Sequence, residues 1–170
     1  MLQDTLYFSD NFFSAGRTDI FNESKETVGI LDLKSAFSSG VNVLNPEGEI
    51  LTSGKFPFMG IKWRIYDDLG EEIGALKGRF AFFSKKYEYD AYGRGIFQVE
   101  AEAFSKQYVI LKEQSVVAEF NKISGFFSSP AYQLKNLTDD LLSEELVAVV
   151  MGINAIEKRR RNNAANSGAT

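Results

Sequence analysis

A chain of 170 residues is long enough to bury the core of one domain, and its 44% apolar and 25% charged residues are ordinary for a globular protein. A net charge of −4 and a pI near 5.0 argue against a general nucleic-acid binder, which needs a basic surface. With neither Cys nor His, the chain excludes disulfides, thiolate or imidazole catalysis, and cysteine or histidine metal sites.

The N-terminus, MLQDTLYFSDNFF, has an early Asp and neither a basic leader nor an apolar run. No secretory signal is read there, and a cytoplasmic location is expected. From Thr5 to about Leu134 short apolar-patterned runs alternate with Gly, Asn, Asp and Ser clusters, and fifteen Phe and seven Tyr favour pleated, half-buried surfaces. IFNESKETVG, from Ile20, aligns without a gap on IYDDLGEEIG, from Ile65, which marks a recurring hairpin unit. VNVLNPEGEIL repeats the pattern, with Pro46 suited to the second position of a turn and Gly48 to a positive φ. KWRIY and EIGAL read as strands joined across DDLG. KYEYDAYGRGIFQVEAEAF turns at Ala91-Tyr92-Gly93, and VILKEQSVVAEF forms a further hairpin. Many short strands at even spacing predict a sandwich or a closed barrel.

Helix is predicted once, over about 139–160, in NLTDDLLSEELVAVVMGINAIEKRRR. Thr138 or Ser143 can cap it, and the order of acidic start and basic end complements the helix dipole. The tail over 162–170, NNAANSGAT, has nothing to bury and is expected to be disordered. Leu146 to Ile156 is too short for a bilayer, which needs roughly 20 apolar residues. Nor is it a surface helix: Val147, Ala148 and Met151 are apolar on the side opposite Leu146, Val150 and Ile153. A helix apolar all round is buried all round, so strands must wrap it. Ala148, Gly152 and Ala155 let those strands approach, whereas Asn154, if buried, needs partners for its amide.

WRIYDDLGEEIGALKGRF resembles the strand, D-x-x-G, strand core of the tubby C-terminal-domain-like family, and LSEELVAVVMGINAI resembles its central helix. The likeness is to LURP-one-related and small bacterial members, with phospholipid scramblases as distant relatives, and it covers Leu6 to Ile156. It implies one domain over residues 1–161, a mainly β, closed antiparallel barrel of about a dozen short strands around one buried C-terminal helix. Tubby proteins bind phosphoinositide headgroups through surface Lys and Arg. No residue of that headgroup site can be matched here.

Two basic groups are candidates for anionic lipid. Lys77, Arg79, Lys85 and Lys86 surround the aromatic segment RFAFFSKKYEY, in which Phe80 and Phe82 share a strand face. The other reading of this group is an exposed strand face with its aromatics packed inward. Lys158, Arg159, Arg160 and Arg161 either bind acidic headgroups or simply end the helix in water. KFPFMGIKW and GFFSSPAY would be contact patches if exposed, but they read better as loops packed on the ends of a barrel. The adjacent carboxylates Asp67–Asp68, Asp139–Asp140 and Glu144–Glu145 diverge on a strand or a helix, and DDLG lacks the oxygen ligands of a calcium loop. No phosphate-cradling Gly loop is present. The function expected is a non-enzymatic module without catalytic residues, metal or cofactor, docking on an anionic phospholipid surface or a protein partner and peripheral to the membrane. A protein-interaction domain without lipid affinity is the alternative, and a carboxylate-dependent enzyme comes third.

Overall fold

The computed structural model describes residues 1–9, 13, 16–33, 40–79, 85–101, 106–127 and 130–167. Its strands are β1 (Thr5–Ser9), β2 (Gly16–Phe21), β3 (Thr27–Leu33), β4 (Gly40–Leu44), β5 (Ile50–Lys55) and β6 (Trp63–Tyr66) in the first half. The second half adds β7 (Glu72–Arg79), β8 (Lys85–Ala91), β9 (Gly95–Ala101), β10 (Tyr108–Lys112), β11 (Ser115–Ile123) and β12 (Ala131–Asn136), then the helix α1 (Ser143–Ser167). Each strand pairs antiparallel with its neighbours in sequence, and β1 pairs with β12 from Thr5↔Lys135 to Ser9↔Ala131. The barrel therefore closes on itself.

Three hairpins are built alike. Asn22, Asn45 and Asp67 each accept, at the side-chain oxygen, the backbone N–H four residues on, from Glu26 (2.9 Å), Glu49 (2.8 Å) and Glu71 (2.8 Å). The third residue after each sits at positive φ: Lys25 at 63°, Gly48 at 90° and Gly70 at 82°. The ladder then slips by one residue, between Ile20/Phe21, Val43/Leu44 and Ile65/Tyr66. Each bulge turns one apolar side chain, Val28, Leu51 or Ile73, onto the core. The gap-free alignment in the sequence is thus a repeat of turn and bulge together.

The helix fills the barrel. From Leu146 to Ile153 every residue is buried, which only a helix surrounded by strands achieves. Gly152 has a specific reason: a Cβ there would lie 2.5 Å from Trp63 Cδ1, and one on Gly54 of β5 would lie 2.5 Å from Trp63 Nε1. The indole of β6 is held in a slot between two glycines, one on the helix and one on the wall. Asn154 is only half-buried, so it does not carry the desolvation cost that full burial would impose.

The helix begins later and ends later than the sequence predicts. Residues 137–142 are a linker in which Thr138 Oγ1 accepts from Asp140 N (3.1 Å), so Thr138 stabilises a turn and not the helix. At the other end α1 runs through the basic residues to Ser167, so 162–167 are helical and not a disordered tail. The two alanines in NNAAN favour helix, and propagation from a formed helix needs no new nucleus. The first turn is fixed by its acids. Glu144 accepts from Leu2 N (3.0 Å), and the fully buried Glu145 binds Arg94 at both guanidinium nitrogens (2.6 and 2.8 Å) and the Tyr89 hydroxyl.

Candidate docking surface

An up-and-down barrel places alternate connections at opposite ends. The hairpin turns between β2 and β3, β4 and β5, β6 and β7, β8 and β9, and β10 and β11 share one end with the 137–142 linker and the helix N-terminus. Those segments read NESKE, NPEGE, DDLGE, YGR, EQ and LTDDLLSEE, in which Lys25 and Arg94 are the only basic residues. Arg94 is already committed to Glu145, and its pKa is raised, first by that hydrogen bond. This end is strongly acidic. A net charge of −4 therefore averages over two very different poles.

The other end holds the starts of the even strands, the ends of the odd ones and the helix exit, with Lys55, Lys62, Arg79, Lys85, Lys86 and the run Lys158–Arg161. Two acids near it are paired: Glu100 with Lys86 (2.7 Å) and Glu157 with Lys85 (2.8 Å).

The structure brings the two predicted basic groups to this same end but sorts them by strand parity. Lys77, Arg79 and Lys86 point outward, where Glu88 pairs with Lys77 (2.8 Å) and Arg79 (2.9 Å). The hydrogen bond from Lys77 leads in holding Glu88 below the usual carboxylate range. These cations are cross-strand pairs on a ladder (Lys77↔Glu88, Lys86↔Glu100), so their charge is largely spent along the wall. A shallow recess of about 280 Å³ beside them is lined by Arg79, Lys86, Tyr87, Gln98, Val99 and Glu100. Phe80 and Phe82, read as neighbours of this strip, lie outside the described residues.

Lys85 instead shares the inward parity of Tyr87 and Tyr89 and reaches the helix exit. There Glu157 Oε1 accepts from the Tyr87 hydroxyl (2.8 Å) and lies 2.8 Å from Lys85 Nζ. Burial first, then this hydrogen bond, push the Tyr87 phenol well above its ordinary pKa. Arg160 packs over Gly78, where a Cβ would overlap the guanidinium. Arg159 Nη1 donates to Gly60 O (2.9 Å) and its guanidinium lies 4.8 Å from the Phe56 ring centre. Lys158 and Arg161 are exposed and have no ion pair or hydrogen bond among the described residues. Of the eight predicted cations, Lys158, Arg159, Arg160 and Arg161 have no carboxylate partner among the described residues.

The loop that Arg159 holds departs from its expected packing role. Phe56 does pack, edge-on to buried Trp63 at 5.2 Å. A turn closed by Gly60 N donating to Pro57 O (3.2 Å) then throws the next side chains outward. Phe58 is fully exposed, Met59 is 91% exposed and Ile61 83%. Lys62, passed over in the sequence, is exposed beside them. The flanking lysines of KFPFMGIK were the available signal, since a core loop has no use for cations at both edges. GFFSSPAY does pack where it is described: Phe126 stacks on Tyr7 at 3.9 Å and Phe127 meets Phe21 at 5.1 Å.

A closed twelve-strand antiparallel barrel filled by one C-terminal helix fits the tubby-like fold. The X-ray structure of an Arabidopsis thaliana protein, AT5G01750, superposes on it with a TM-score of 0.59, covering 88% of this chain and 90% of that one at 11% identity. Likeness at that identity is one of fold. No protein-family model matches the chain, and no curated protein matches it in sequence. Among the described residues no helix is long and apolar enough to cross a membrane.

Proposed function

We propose that this chain is a non-enzymatic, LURP-one-related tubby-like module that docks peripherally on an anionic phospholipid surface, on the cytoplasmic side. The observation that carries the reading is the separation of charge. Acids crowd the hairpin end, while Lys158, Arg159, Arg160 and Arg161 have no carboxylate partner among the described residues at the helix exit. A negatively charged surface attracts the second end and repels the first, so the molecule is oriented before it touches. Each basic residue close to such a surface contributes about 1 kcal/mol, and a cluster of this size supports reversible attachment. The helix occupies the barrel interior, which leaves the outside to do the binding.

Flotation with vesicles of equimolar phosphatidylcholine and phosphatidylserine tests this. The protein is expected to float at low salt and progressively less as salt screens the contact. Reversal of Lys158 and Arg161 to Glu weakens binding, whereas Lys86→Glu, at an already paired position, has the smaller effect. Failure of the wild-type chain to float at low salt would overturn the reading.

A further inference from the structure

Beside those cations lies an apolar feature that electrostatics does not use. Phe58, Met59 and Ile61 are three large apolar side chains in water at one loop tip, bounded by Lys55 and Lys62. Scattered exposed apolar residues need no explanation, but a contiguous group rimmed by charge does. The tip is held and not left loose. Its turn is closed by the Pro57–Gly60 hydrogen bond, Phe56 anchors it on Trp63, and Arg159 clamps both Gly60 O and the Phe56 ring. That clamp also sets its place: the tip lies against the helix exit, where the basic run Lys158–Arg161 leaves the barrel.

We infer that Phe58, Met59 and Ile61 form an insertion tip that enters the acyl boundary of an anionic bilayer while the neighbouring cations meet its headgroups. The inference rests on the docking function proposed above and adds a depth and a mode to it. A bilayer fits this edge better than other occupants because the apolar group is small, fully in water, flanked in sequence by Lys55 and Lys62, and held by Arg159 of the basic helix exit. Apolar tip below and cations above is the vertical order of an acyl layer under anionic headgroups. Leu69 supplies an internal contrast. It is 82% exposed, but on the acidic end between Asp67, Asp68 and Glu71, where an anionic surface is repelled.

The test is a triple variant, Phe58→Ser with Met59→Ser and Ile61→Ser, which removes only exposed groups and leaves the fold intact. Binding to equimolar phosphatidylcholine–phosphatidylserine vesicles is measured across a salt series beside the wild type. The wild type should keep a salt-resistant fraction, and the variant should lose it, binding at least about tenfold more weakly. The indole introduced by Phe58→Trp should be quenched by brominated acyl chains. Equal flotation of variant and wild type at every salt concentration overturns insertion and leaves electrostatic docking standing. Absence of wild-type flotation at low salt overturns both. A wild-type dimer that becomes monomeric in the triple variant, with no change in flotation, assigns the tip to self-association and also overturns insertion.

Discussion

Gly152 is where helix propensity and packing oppose each other most directly. Alanine would improve the helix by about 1 kcal/mol. Its Cβ would also press on Trp63 Cδ1 at 2.5 Å, and overpacking a tight core costs about 1–3 kcal/mol. Gly152→Ala is therefore expected to destabilise the protein in chemical denaturation, and adding Trp63→Phe should recover part of the loss. A more stable Gly152→Ala would contradict the slot. The Arg94–Glu145 pair makes a second case. Arg94→Met strands a fully buried carboxylate, for an expected loss of about 3–5 kcal/mol, whereas Arg94→Met with Glu145→Met should lose less than that single variant. At this scale the sequence was half legible. Small residues on an apolar helix announced close approach, but not that one indole would use both Gly54 and Gly152. Nor did anything local in SEEL reveal that Glu145 meets an arginine 51 residues away.

Elements were more legible because turn chemistry is local. NESKE, NPEGE and DDLGE fold alike since an Asn or Asp oxygen and a following positive-φ position suffice to set the turn. The hairpin between β10 and β11 is an exception in chemistry though not in shape. Glu113 and Gln114 sit at φ 49° and 72°, left-handed positions that favour Asn and Gly. Glu113→Asn with Gln114→Gly should raise the unfolding free energy by about 1–2 kcal/mol, read from the denaturation midpoint. No change would mean the turn is not strained. The helix was recognised by its missing polar face, but its bounds were not. Its start depends on Asn136 Nδ2 donating to Leu141 O (2.8 Å), and its end on propagation into a polar segment that buries nothing. The KFPFMGIKW loop differs from its expected packing for a related reason. Composition cannot say which of its apolar residues fall at the turn, and those at the turn face water.

Across the whole molecule, the charge poles were invisible to composition because they appear only once alternate connections are assigned to opposite ends. The buried phenols give the barrel a pH limit. Tyr87, Tyr89 and Tyr108 have pKa values raised above the ordinary 10.0, in each case by burial first. A group whose folded pKa is raised contributes stability that is complete below its unfolded value and is lost as pH climbs past it. Stability should thus be flat near neutrality and fall above pH 10.0, with phenolate absorbance appearing together with unfolding. Phenolate formation well before unfolding would show that these side chains are not sealed in.

The poles also fix which end should meet a membrane, and the absence of native cysteine makes that directly readable. Phe58→Cys and Leu69→Cys each offer a single thiol at an exposed apolar site, one at each end of the barrel. Both carry the same polarity-sensitive fluorophore and are mixed with phosphatidylserine-containing vesicles at low salt. A blue shift is expected for the label at position 58 and none for the label at position 69. A shift at position 69, or equal shifts at both, would contradict docking through the helix-exit end.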